Sequence, residues 1–367
     1  MSAIDRRSIQ NFDWVLLGIV LSLVGLGLMN LFSASHADAE SGFSIYFRRQ
    51  LVAIAIATMA VVGVCMVDYR RFARLAMPLY VASMVSVVMP LLISPLTRGA
   101  QAWLYEGRFQ PSEIAKIALI LALARYFQRN PPTEITRLRD LGAPLAIIGL
   151  PVALIALQKD TGVALLTLLI GVTFLPFLRI PGRMWFGLGV PCVAALIPFW
   201  IYGLRDYQRT RILDFVDPSR DPLSSGYQAI QSRIAIGSGG LFGTGWMEGT
   251  QTQLRFLPTQ HTDFAFSVLA EEWGFFGSAL VLSAYLLMLL WGLWIARNAK
   301  DSFGAMLSVG VVGTLFWPAT INVAMVLGLA PVIGVPLPFF SYGGSSLLSA
   351  AIAVGLLLNI SMRRYVF

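Results

Sequence analysis

The chain has 367 residues, 57% of them hydrophobic and 13% charged, with a net charge of +8 and a mean hydropathy of +0.72. Soluble domains carry roughly twice that share of charge, which excludes a soluble globular fold. Its basic residues stand singly or in pairs between apolar stretches, so the run-like footprint of a nucleic-acid binder is excluded too.

A helix crossing a bilayer needs about 20 apolar residues. In chain order, about ten stretches approach this: Trp14–Phe32, Leu51–Val67, Leu75–Ile93, Ile114–Phe127, Ala143–Leu157, Gly162–Phe177, Trp185–Tyr202, Gly277–Ala296, Leu307–Leu329 and Ser345–Ile360. They predict an all-α polytopic membrane protein, residues 1–367 forming one integral membrane domain. The first run follows Arg6 and Arg7 and precedes Ser33-Ala34-Ser35, as a signal peptide would. It exceeds the roughly 7–15 residues of a signal core and reads as a retained span. Cys65 and Cys192 lie inside apolar spans and read as small core residues.

With the N-terminus inside, the inner segments hold Arg6, Arg7, Arg70, Arg71, Arg74, Arg125, Arg129, Arg137, Arg139, Arg179, Arg183, Arg297, Lys300, Arg363 and Arg364. The short outer loops hold only Arg48, Arg49, Arg98, Arg108 and Lys159. The positive-inside rule therefore predicts both termini in the cytoplasm.

Several polar groups gather on the outer side. Arg48 and Arg49 enter the second span there. Gln110-Pro111-Ser112-Glu113-Ile114-Ala115-Lys116 opens the fourth, and Lys116 lies against the charge trend near the positive end of a helix dipole. Two readings stand: an i,i+3 ion pair with Glu113, or a pair lining a site for an anionic headgroup. Lys159-Asp160-Thr161-Gly162 joins the fifth and sixth spans, either as a solvated tight turn or as a second cation and carboxylate for that site.

The loop from 203 to 276 follows the seventh span. In it, Tyr227, Ile230 and Ile234 have helical spacing and predict an amphipathic helix lying on the membrane. Gly237, Gly239, Gly240, Gly243 and Gly245 come next. Lacking a preceding strand and a Gly-Lys-Ser/Thr, they are not a nucleotide loop and read as flexible turns. Phe264–Ala296 is one apolar stretch of 33 residues, about 50 Å as a helix against a hydrocarbon core of about 30 Å. It must break, and Glu271-Glu272-Trp273-Gly274 supplies the breaker. Phe264–Ala270 is then a separate short helix in a loop that roofs or walls an outward-facing site. His261-Thr262-Asp263 sits at its mouth. Asp263 and Glu271 are about 12 Å apart along a helix and cannot form a glycosidase-type carboxylate pair. Either Asp263 acts alone or it is a helix-start carboxylate favoured by the dipole. Pro336-Leu337-Pro338-Phe339-Phe340-Ser341-Tyr342-Gly343-Gly344-Ser345-Ser346 reads as a rigid loop with a Ser cap before the last span.

Taken in order, these segments resemble the SEDS family over nearly the whole chain. The pieces that carry the likeness are Gln110-Pro111-Ser112-Glu113 with Lys116, Gly226-Tyr227-Gln228, 235–243, His261-Thr262-Asp263-Phe264 and the run 336–346. Trp246 and Leu257-Pro258-Thr259-Gln260 look like its elongation branch, with the septal branch second. Phe264-Ala265-Phe266-Ser267 and Ala324 depart from the usual family residues without touching a proposed catalytic group.

The resemblance implies a glycosyltransferase that polymerises lipid II into β-1,4 glycan strands at the periplasmic face of the inner membrane, for cell elongation and rod shape. The donor is an undecaprenyl-pyrophosphate-linked glycan. Asp263 matches the essential aspartate, Trp103 an important outer-loop tryptophan, and Glu113, Lys116, Lys159 and Asp160 polar cavity positions. We group with them, as substrate-binding candidates, Arg48, Arg49, Tyr227, Gln228, Arg233, His261, Thr262, Ser341 and Ser345. A free Asp has a pKa of about 3.9, low for a base, so Asp263 either needs burial or orients the hydroxyl. No protein-ligated metal site is evident, and dependence on a divalent cation is open. The implied partners are a class B penicillin-binding protein, with the apolar outer faces of the eighth and ninth spans, including Trp291 and Trp294, as its docking face, and other membrane proteins of the elongation complex. Two other classes stand beside the enzyme. A flippase for lipid-linked precursor predicts a polar path through to the cytoplasmic half, and an inactive scaffold leaves Lys116 and Asp263 unexplained.

Overall fold

The computed structural model describes residues 11–36, 43–93, 100–104, 109–131, 141–177, 197–204, 206–217 and 225–364, with isolated positions between 181 and 194. The helices are α1 (Trp14–His36), α2 (Ile45–Met66), α3 (Tyr69–Ile93), α4 (Pro111–Arg129), α5 (Gly142–Leu157), α6 (Thr161–Val172), α7 (Asp206–Val216), α8 (Ser225–Gly239), α9 (Thr250–Gln253), α10 (Ala265–Arg297), α11 (Ser302–Val326) and α12 (Gly344–Arg363). Every expected span but the seventh falls on one of them. The seventh, 185–202, lies mostly outside the described residues, as does Cys192. Among the described residues, 6 helices are long and apolar enough to cross a membrane, and shorter apolar helices accompany them. The chain is a multi-span membrane protein.

In lipid, an apolar side chain gains little by turning inward, so small and polar residues decide which helices are central. The centre is α4, α11 and α12. They bury Ser112, Glu113 and Lys116, then Ser308, Thr314 and Asn322, then Ser345, Ser349, Asn359 and Ser361. Around them α2 packs on α12, α3 on α4, and α10 on both α11 and α1. Local chemistry starts several helices. Pro111 stands in the first turn of α4, Asp160 caps α6 by accepting from Val163 N at 3.1 Å, and Asp301 caps α11 by accepting from Gly304 N at 2.7 Å.

The long apolar stretch breaks as its length requires. α10 is interrupted at one residue, Gly274, with φ 64 and ψ −158, a conformation essentially reserved for glycine. The break frees backbone groups, and the 240–245 segment takes them. Phe275 N donates to Gly240 O at 2.9 Å and Phe276 N to Leu241 O at 3.2 Å, while Glu271 O accepts from Thr244 N at 2.9 Å and Glu272 O from Gly245 N at 3.2 Å. This corrects the reading of Gly239 and Gly243 as flexible turns. A Cβ at Gly239 would overlap the Ala270 carbonyl, and one at Gly243 the Glu272 carbonyl. They are glycine because another backbone passes through their side-chain space.

α8 also differs from expectation. It does not merely lie on a membrane surface: Ser232 and Ala235 are fully buried. The Ser232 hydroxyl sits 2.8 Å from that of Ser267 in α10 and donates to Val326 O of α11 at 2.7 Å.

Candidate active site

Asp263 is half-buried immediately before the re-entrant half of α10, residues 265–273, whose side chains are nearly all buried. Its main chain is held by Asn322 of α11, whose Nδ2 donates to Asp263 O at 2.8 Å and to Val335 O at 2.6 Å. Gly334 lies alongside: a Cβ built there would come 3.4 Å from Asp263 Oδ2. His261 stacks on Tyr46 of α2, ring centres 4.1 Å apart. Its carbonyl accepts from Tyr342 N at 3.0 Å, which joins the 336–346 loop to the Asp263 turn. The Thr262 hydroxyl donates within its own turn, to Thr259 O at 3.2 Å.

A second polar group sits in the protein interior at the start of α4. Lys116 Nζ lies 2.8 Å from Glu113 Oε1, and both residues are buried. The other Glu113 oxygen accepts from Ser349 of α12. Gln110 Nε2 donates to Asp160 Oδ2 at 2.9 Å, and Gln110 N donates to Ser345 Oγ at 3.3 Å. Burial pushes the Asp160 carboxyl above the usual carboxylate range, against the lowering effect of the Val163 amide, Lys116 and Gln110. Lys159 beside it is half-buried with φ 69, uncommon for a residue with a side chain. Trp103 is half-buried in the 100–104 segment, which Gln101 N ties to Gln158 O at 2.9 Å.

The two groups meet on one stretch of backbone, 331–336. Asn322 donates to Val335 O, and Gly334 stands beside the Asp263 carboxylate. A Cβ at Gly162 would come within 3.2 Å of Ile333 O and 3.9 Å of Asp160 Oδ1, so the Asp160 turn stands against the next residue. Arg211 of α7 donates to Val332 O at 3.2 Å. Arg233, exposed on α8, packs beside Gly328 and shares a small surface cleft with Arg211, Asp214 and Val332. Asp263, Asp160 and Arg233 thus border one segment, with the Glu113–Lys116 pair behind Asp160 through Gln110.

Of the other expected residues, Ser345 reaches that convergence by accepting from Gln110 N. Arg48 and Arg49 are exposed on the first turns of α2, and Tyr227 and Gln228 are half-buried on the first turn of α8. Ser341 and Ser345 are buried acceptors of backbone N–H groups, from Leu337 at 3.0 Å and Gln110 at 3.3 Å. Glu271, which sequence spacing excluded as a partner of Asp263, is committed elsewhere. Its carboxylate accepts from Gln251 N at 2.7 Å and from Thr252 N at 3.1 Å, capping α9. The residues missed from sequence are Asn322, Gln110 as a bridge, Arg211 and Ser349. Asn322 carried a signal, a lone amide inside an apolar span, but nothing in the sequence names its acceptors.

The family described as cell cycle protein, FtsW/RodA/SpoVE, matches residues 13–366. The peptidoglycan glycosyltransferase MrdB of Escherichia coli strain K12 is 41% identical over 361 residues, covering 96% of this chain and 94% of the relative. Two solved structures share the fold. One is a chain from a peptidoglycan synthase complex that coordinates polymerization and crosslinking, with TM-score 0.81, 34% identity and coverage of 97% and 99%. The other is the rod shape determining protein RodA of Thermus thermophilus, with TM-score 0.70, 30% identity and coverage of 96% and 98%. Sequence and fold agree over nearly the full length, and the chain belongs to the FtsW/RodA/SpoVE family, the SEDS proteins.

Proposed function

We propose that this chain is a peptidoglycan glycosyltransferase that polymerises lipid II into β-1,4 glycan strands during cell elongation. The observation that carries the reading is the convergence of Asp263 and the Gln110–Asp160–Glu113–Lys116 group on one backbone segment. A carboxylate beside the acceptor and cations beside the leaving group are what this transfer needs. The 4-hydroxyl of one lipid-linked disaccharide attacks the anomeric carbon of a glycan carried on undecaprenyl pyrophosphate. The new C–O bond forms on the face opposite the α-linked pyrophosphate, which leaves with the electron pair of the broken bond. Asp263 orients the hydroxyl and takes its proton, an effect worth typically 10²–10⁴-fold. Lys116, Lys159 and Arg233 supply positive charge toward the departing pyrophosphate. Trp103, on the 100–104 segment, is the candidate sugar contact.

The distribution of Lys and Arg supports a bacterial inner-membrane protein with both termini cytoplasmic and this site on the periplasmic face. A class B penicillin-binding protein crosslinks the strands beside it. The test is purified protein with labelled lipid II, scored for glycan strands by gel. Strands support the proposal; transbilayer movement of lipid II without strands would replace it with a flippase.

A further inference from the structure

The mechanism uses Asp263 but not the side chain that fixes it. Asn322 is fully buried in α11, where an amide is expensive unless its hydrogens are taken up. Both of its contacts, to Asp263 O at 2.8 Å and Val335 O at 2.6 Å, are to carbonyl acceptors, so only its NH2 end can face them. The two carbonyls belong to the two segments that make the site. Asp263 leads into the re-entrant helix. Val335 follows Gly334, whose backbone, at φ 79, stands beside the Asp263 carboxylate.

We infer that Asn322 is a positioning residue for the glycosyl transfer. One amide clamps the Asp263 main chain and the 331–336 segment at a set separation, and so fixes where the carboxylate stands relative to the hydroxyl it serves. This rests on the reading of Asp263 as the catalytic carboxylate. Misplacing a reacting group by about 1 Å costs roughly 10²-fold in rate, whereas groups that hold the lipid-linked sugars elsewhere keep their grip. The loss therefore falls on kcat.

Purified variants turning over labelled lipid II test this. Asn322→Leu keeps the volume and removes both donors. Its kcat should fall roughly 10²-fold with KM nearly unchanged. Asn322→Asp sets a carboxylate against two carbonyls near neutral pH and regains one donor on protonation. Its kcat relative to the parent protein should rise as pH falls, a response that a packing defect does not give. If Asn322→Leu does not fold, Asn322→Ser, with one donor, should show an intermediate kcat at unchanged KM. Parental kcat in these variants, a loss confined to KM, or failure of all three to fold overturns the inference. Asp263→Asn is measured alongside. If it keeps full activity, the reading of Asp263 fails and the inference falls with it. If Asp263→Asn loses activity while Asn322→Leu keeps it, only the inference fails.

Discussion

A carboxylate at the mouth of a helix is favoured by the dipole there, and Asp263 is such a carboxylate. What separates a catalytic role from a helix-start role is its company on the 331–336 segment. Asp263→Asn keeps size and removes charge and basic lone pairs. The variant should insert, fold and bind lipid II, with turnover down roughly 10²-fold or more in the glycan-strand assay. Parental polymerisation by a folded Asp263→Asn protein would sink the mechanism. Lys116 needs a different design, because it is paired with Glu113 at 2.8 Å and both are buried. Lys116→Ala leaves an uncompensated buried carboxylate, a defect of about 3–5 kcal/mol, and should lower the yield of folded protein. Glu113→Gln combined with Lys116→Met removes both charges and should fold. If the pair serves the pyrophosphate, that double variant still polymerises poorly, while Lys300→Ala, exposed beyond the other end of α10, stays near parental. A fully active double variant assigns the pair to structure alone. The i,i+3 spacing made this pair legible in sequence. Its link through Gln110 to Asp160 was not, because that bond joins residues 50 positions apart.

Breaks and close approaches are legible to different degrees at the scale of elements. Length alone required the 264–296 stretch to break, and Gly274 was among the residues named for it. The partner of the break was not legible: glycines that accommodate a passing backbone look, in sequence, like glycines in a flexible turn. The structure separates them, and substitution measures the difference. A Cβ at Gly237 meets nothing within 4 Å, whereas one at Gly239 overlaps the Ala270 carbonyl. Gly237→Ala, in the interior of α8, should be neutral or stabilising by about 0.5–1 kcal/mol. Gly239→Ala should displace the re-entrant half of α10 and lower the thermal unfolding temperature of the detergent-solubilised protein. Gly274→Ala meets both the strained φ and the Gly243 nitrogen and should be the most damaging of the three. Equal unfolding temperatures for Gly237→Ala and Gly239→Ala would return the glycines to the flexible-turn reading. The same lesson covers α8, whose helical spacing was visible but whose Ser232 contacts reach residues far along the chain.

On the scale of the whole molecule, hydropathy made the spans legible because each helix must satisfy its own backbone in lipid, and only long apolar runs can do so. It could not tell a face turned to lipid from one turned to a partner. Trp291, expected on a docking face, instead donates to Asp13 at 3.0 Å, and Asp13 also accepts from Ser361 at 3.0 Å. That indole pins α10 to α1 and α12. Trp294 keeps partial exposure with Arg364 over its ring at 4.4 Å. The apolar side chains exposed on α10 include Leu286, Leu287, Leu290 and Leu293 at helical spacing, and we propose this stripe as the seat of the single span of a class B penicillin-binding protein. Lipid covers such a stripe equally well in the isolated protein, so burial alone provides little drive, and shape must decide the pairing. Adding bulk tests shape without adding charge. Leu286→Trp with Leu290→Trp should leave polymerisation by the isolated protein unchanged, since both side chains are exposed on the outside of α10. Co-purification with the partner should raise polymerisation by the parental protein, and the double variant should lose both the rise and the co-purification. Equal activity with and without partner at matched lipid II removes the stimulation, and retained co-purification of the double variant moves the docking face off α10.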